Sequence, residues 1–144
     1  MDANTLALMA QGFGNALEPM NLLMMVIGVT IGVVVGCMPG LSAAMGVALL
    51  LPLTFGMKPE TGMIMLGGIY CGAIFGGSIC AILIHTPGTP ASAATAIDGY
   101  ELTKKGRAGK ALGTACIASF FGGLLSCISL YFFAPMLAQL AMKF

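Results

Sequence analysis

Three long stretches without a charged residue, Pro19–Met57, Thr61–Ile97 and Ala111–Met142, alternate with short polar punctuation. Each can hold a helix of about 20 residues, the length that crosses a bilayer core. The punctuation consists of Glu18, Lys58-Pro59-Glu60 and the segment Asp98–Lys110. The pattern predicts membrane helices over about residues 21–38, 62–85 and 111–142, with Thr61 placed to cap the second. Gly28, Gly32 and Gly36 recur every fourth residue in the first helix, and Gly68, Gly72 and Gly76 do so in the second. Lipid offers no hydrophobic drive to helix association, and such rows let backbones approach closely, so helix packing is expected of them. Ahead of the first run, Leu6, Met9, Phe13 and Leu17 return at helical spacing. They predict an amphipathic helix within residues 1–18, lying in the membrane interface.

Two helix breakers interrupt the apolar runs. Pro39-Gly40-Leu41-Ser42 ends the first helix, and Thr86-Pro87-Gly88-Thr89-Pro90 ends the second. Proline lacks the N–H that a helix needs and pushes the preceding residue towards extended geometry. The apolar segment 41–55 holds 15 residues and contains Pro52. At about 1.5 Å per residue it falls short of a ~30 Å core, so it reads as a half-helix or re-entrant segment. A second short helix is expected over 91–97, followed by a polar loop over 98–110. In that loop Asp98 and Glu101 have the spacing of a capping pair, and Gly106 is a natural stop. Four of the six basic residues, Lys104, Lys105, Arg107 and Lys110, fall in the loop, which places it on the cytoplasmic side. The run 111–142 exceeds one perpendicular span, so tilt, a bend near Pro135 or an interfacial tail must absorb the excess.

Composition narrows the class. The chain has 144 residues, 58% apolar and 8% charged, with a net charge of +1 and a mean hydropathy of +1.00. A soluble domain carries roughly 25% charged residues, so the fold expected is an all-α integral membrane bundle with broken or re-entrant helices. The lack of a basic stripe argues against a nucleic-acid partner. Cysteines 37, 71, 80, 116 and 127 are odd in number and show no metal or redox spacing, so they read as small apolar side chains. Nucleotide, zinc and serine-hydrolase motifs are absent, and no enzyme activity or metal site is expected.

What remains is the pair of breaks. Paired Gly/Pro interruptions in short apolar segments mark transporter sites, because half-helix N-termini present unpaired N–H groups to an anion. Ser42, Thr86, Thr89, Ser92 and Thr95 add hydroxyl donors, and the sole histidine, His85, stands at the edge of the second break. A titratable group inside a membrane run is a candidate for ion coupling. Its alternative role is a hydrogen bond to backbone carbonyls freed by the break. On physics alone the pattern predicts an anion or carboxylate transporter. The alternative is a non-transporting structural or assembly subunit whose glycine rows only pack helices.

In order along the chain, Pro39-Gly40-Leu41, Ala48–Phe55, Gly68–Ser78, Ala81–Ser92 and Asp98-Gly99-Tyr100 resemble the large membrane subunit of the tripartite tricarboxylate transporters, the TctA family. The resemblance implies a multi-pass bacterial inner-membrane secondary transporter, driven by a gradient of H⁺ or Na⁺ and needing no other cofactor. Citrate or a similar carboxylate would be delivered by a periplasmic solute-binding protein, and a small membrane subunit would complete the system. It also implies that Pro39, Gly40, Leu41, Ser42, Thr86, Pro87, Gly88, Thr89, Pro90 and Ser92 contact substrate. The family usually has Asn where this chain has His85. It also runs to several hundred residues with inverted repeats, so the chain corresponds to its N-terminal part.

Overall fold

The structure, a computed structural model, describes residues 3–141. Among them every regular element is helical: α1 (Ala3–Ala16), α2 (Pro19–Gly36), α3 (Ala43–Leu50) continued by a 3₁₀ turn (Leu51–Thr54), α4 (Pro59–Ile84), a 3₁₀ turn (Pro90–Ser92), α5 (Ala93–Lys104) and α6 (Ala108–Ala141). The protein is an all-α membrane bundle. By length and composition α2, α4 and the Ala108–Phe133 part of α6 can each cross a bilayer.

The bundle is built on α2 and α4, which lie parallel and almost in backbone contact. Gly28, Gly32 and Gly36 press against the carbonyls of Met65, Ile69 and Ala73, while Gly68, Gly72 and Gly76 press against those of Met25, Val29 and Val33. A Cβ at Gly68 would fall 3.0 Å from the Met25 oxygen, and at the other five it would fall closer still. Any side chain there would hold the helices apart. The approach also allows Cα–H···O contacts, each worth about 0.5–1 kcal/mol. At the starting end, Thr61 Oγ1 donates to Asn21 Oδ1 at 2.7 Å, and both residues are buried. Thr61 is therefore not the cap of α4. The helix starts earlier, after Lys58, because Pro59 at its first position has no N–H to satisfy.

Parallel neighbours require the chain between them to travel back. Gly46 of α3 meets the Val35 side chain near the far end of α2, and Thr54 meets Gly62 near the start of α4. Segment 41–55 therefore returns the chain from one end of the pair to the other. Its regular part stays short because Pro52 converts the last turn to 3₁₀. After α4 the chain turns back on itself. His85 ends that helix in the left-handed region (φ 57°), and the chain doubles back until Gly88 rests on the Gly36 carbonyl and on Gly77. Residue 77 lies about two helical turns inside the end of α4.

From there α5 climbs outward across Ile82, where Gly99 packs on the Ile82 side chain and Thr103 Oγ1 donates to its carbonyl at 2.7 Å. The expected loop over 98–110 is thus mostly helix. Asp98 and Glu101 lie inside α5 rather than at a cap, and Lys104 pairs with Glu101 one turn away at 2.9 Å. Gly106 (φ 71°) then stops the helix: its N–H reaches Thr103 O at 2.9 Å, and the Arg107 N–H reaches Leu102 O at 2.9 Å. These are the two bonds of a Schellman turn. Helix α6 returns along α5 and continues to Ala141, through Pro135, whose side chain lies outside the described residues. Helix α1 is present, with Phe13 and Leu17 exposed, while the side chains of Leu6 and Met9 lie outside the described residues.

Candidate functional site

The two breaks meet. Gly40, Ser42, Pro87, Gly88, Thr89 and Pro90 line one open cleft of about 320 Å³, although Gly40 and Gly88 are 48 positions apart in sequence. The α2–α4 pair makes this happen. Gly88 has no Cβ, so the second break can lie on the Gly36 carbonyl, one residue before the chain leaves α2 for the first break.

Each wall is held by local chemistry. Gly40 adopts φ 94°, a left-handed turn that glycine alone tolerates well, and the Leu41 N–H closes it on Met38 O. Ser42 caps α3, its Oγ accepting the Met45 N–H at 3.2 Å. Its hydroxyl hydrogen stays available, as do the N–H groups of Ala43 and Ala44, which have no partner within the helix. On the other wall Thr89 and Ser92 form a reciprocal cap. The Thr89 N–H donates to Ser92 Oγ at 3.3 Å, and Ser92 Oγ donates to Thr89 O at 2.7 Å.

The sequence-predicted residues thus separate into groups. Gly40, Ser42, Pro87, Gly88, Thr89 and Pro90 line the cleft. Ser92 is buried and hydrogen-bonded behind it, shaping Thr89 rather than facing a ligand. Pro39 and Leu41 shape the first turn, and the Thr86 hydroxyl is turned onto Ile84 O at 3.3 Å. Thr95 lies elsewhere, in the groove between α5 and α6.

His85 also stands apart from the cleft. Its Nδ1 is 3.2 Å from the Ala96 carbonyl, so Nδ1 carries the hydrogen and Nε2 is left free. The ring stacks on Tyr100 with centroids 4.6 Å apart and planes 31° apart, and Lys104 Nζ lies 4.9 Å from the Tyr100 ring centre. The carbonyl that it meets belongs to residue 96, inside α5. Beside it, the Lys104 ammonium holds the Glu101 carboxyl below its usual range, and Glu101 raises Lys104 in turn.

Two features were not anticipated from sequence. One is the buried Asn21–Thr61 bond, with an adjoining pocket of about 370 Å³ lined by Glu18, Met20, Asn21, Met24, Met57, Lys58 and Thr61. An amide in a charge-free apolar run was its only signal. The other is the proximity of Cys37 to Cys80. Among the described residues no cation lines the cleft, so its polarity comes from the Ser42 hydroxyl and from the start of α3.

Glycine-packed spanning helices whose breaks converge on one cleft define a polytopic membrane protein of the broken-helix class. Residues 22–144 match the Tripartite tricarboxylate transporter TctA family, a family of membrane transporter subunits, and the chain belongs to it. It is 49% identical over 133 residues to an uncharacterized 52.8 kDa protein in the TAR-I ttuC′ 3′ region of Agrobacterium vitis. That match covers 92% of this chain and 26% of the relative, so the chain spans about a quarter of the relative's length. No solved structure matches the chain.

Proposed function

We propose that the chain is the N-terminal part of a tripartite tricarboxylate uptake subunit, and that its cleft takes one carboxylate group of a citrate-like substrate. The convergence of the two breaks in one cleft carries this reading. Unpaired N–H groups at the start of α3 and the Ser42 hydroxyl supply donors without a fixed charge. Such a site can bind an anion and release it again. An ion gradient, H⁺ or Na⁺, drives uptake. A periplasmic solute-binding protein delivers substrate, and a small membrane subunit completes the complex in the bacterial inner membrane, with the α5–α6 turn in the cytoplasm.

Ser42 offers the decisive test, because Asp and Asn both retain N-cap capability while only Asp adds charge. In the full-length subunit, with its partners, Ser42→Asp is expected to lower labelled-citrate uptake by about tenfold or more through like-charge repulsion. Ser42→Asn is expected to keep most of it. Equal uptake by both variants would show that no carboxylate passes this cleft. His85 is proposed to couple H⁺ through its free Nε2. Uptake driven by a pH gradient alone should then fall in His85→Asn, and an unchanged rate removes His85 from coupling.

A further inference from the structure

Cys37 and Cys80 lie 43 residues apart, with nothing in their spacing to pair them, yet the α2–α4 contact sets the Cys80 thiol on the Cys37 backbone and the Cys37 thiol on the α4 backbone one turn before Cys80. Cys80 Sγ donates to the Cys37 carbonyl at 3.1 Å, and Cys37 Sγ donates to the Gly76 carbonyl at 3.4 Å. In a helix that Gly76 carbonyl also receives the N–H of residue 80. Both cysteines are half-buried and free, whereas Cys71, Cys116 and Cys127 are exposed.

Their position is specific. Cys37 caps the end of α2, just before the turn into Pro39-Gly40. Cys80 is nearly one turn beyond Gly77, the residue on which Thr89 and Gly88 rest. We propose that Cys37 and Cys80 are an oxidisable dithiol whose disulfide clamps the first break to the helix wall that carries the second. In forming one S–S bond the two thiols give up two protons and two electrons. A peroxide accepts them and becomes water, or an azo oxidant accepts them and becomes a hydrazine. A reducing cytoplasm keeps the pair open, so the clamp forms only under oxidative load. The effect on transport rests on the carboxylate reading above, because it requires the cleft walls to separate during the cycle. The cross-link itself does not depend on that reading.

The test uses the full-length subunit in membrane vesicles, treated with the azo oxidant diamide, alkylated and mapped by mass spectrometry. A peptide linking Cys37 to Cys80 is expected, lost on reduction with dithiothreitol and absent from Cys37→Ser. Recovery of both cysteines as alkylated peptides, with no linked species, overturns the proposal. In parallel, diamide should lower citrate uptake about tenfold by removing one member of a two-state equilibrium. Dithiothreitol should restore it, and Cys37→Ser and Cys80→Ser should resist the oxidant. A linked peptide with unchanged uptake overturns the clamp. Absence of uptake before oxidation counts against the carboxylate reading, and the peptide map still decides the dithiol.

Discussion

Polar side chains in this protein act where the backbone leaves something unsatisfied. Asn21 bridges two helices: its Oδ1 accepts from Thr61, and its Nδ2 donates to the Asn15 carbonyl. Asn21→Leu should destabilise the detergent-solubilised full-length protein by about 1 kcal/mol, the upper part of the range for membrane hydrogen bonds, read as a lower thermal midpoint. Gly106 is held at φ 71° with open space around it, so Gly106→Ala should cost about 1 kcal/mol through conformation alone. The Glu101–Lys104 pair is fully exposed and adds little stability. Its signature is titration. The carboxyl of Glu101 should titrate below the ordinary glutamate range and move back towards it in Lys104→Ala, read by NMR. A carboxyl lowered in this way supports the fold above its unfolded value and loses that support as pH falls through the folded one.

Among the elements, the two glycine rows decide the architecture. Each is met by backbone carbonyls of the facing helix, so there is no flexible side chain to yield. Gly32→Leu or Gly72→Leu should separate α2 from α4 and dissolve the cleft, because Gly36 of the same row carries Gly88. Folding of the full-length variant, read by size-exclusion chromatography in detergent, is expected to fail. The rows therefore serve packing, and they serve the site through packing. Helix α5 shows a different balance. Read from polarity alone, residues 98–110 look like a solvated loop. The Glu101–Lys104 pair and the contacts of Gly99 and Thr103 on Ile82 keep seven of them, Asp98 to Lys104, helical.

At the scale of the molecule, the parallel α2–α4 pair sorts the chain into two ends. Glu18, Lys58 and the Asn21–Thr61 bond mark one end, and the breaks and the basic α5–α6 turn mark the other. A cysteine placed at Lys58 should react with a membrane-impermeant maleimide from the periplasmic side only, and one placed at Arg107 from the cytoplasmic side only. Labelling of both from one side would overturn the placement of the two ends on opposite sides. Helix α6 packs on α5 over its first turns, around Ala111, Thr114, Ala115 and Ala118. Beyond them Phe120, Phe121, Leu124, Leu125, Ile128, Phe132 and Phe133 are exposed among the described residues. Such a face suits lipid or further helices, and the relative that this chain matches is about three and a half times as long.

The membrane class, the three spanning helices and both breaks follow from local chemistry that the sequence carries openly. Charge-free length demands a bilayer, every-fourth glycines demand close helices, and Pro-Gly pairs end a helix whatever surrounds them. Pro59 and Gly106 likewise set helix ends by their own backbone constraints. Tertiary structure alone decided which helix faces which, because a glycine row has no direction and fits parallel and antiparallel neighbours alike. Only the parallel choice lays Gly88 on Gly36, sets Ser42 across from Thr89, and puts Cys37 beside Cys80. It also sends His85 to Tyr100 and away from the cleft, since the left-handed turn at residue 85 rotates the chain out of the path of α4.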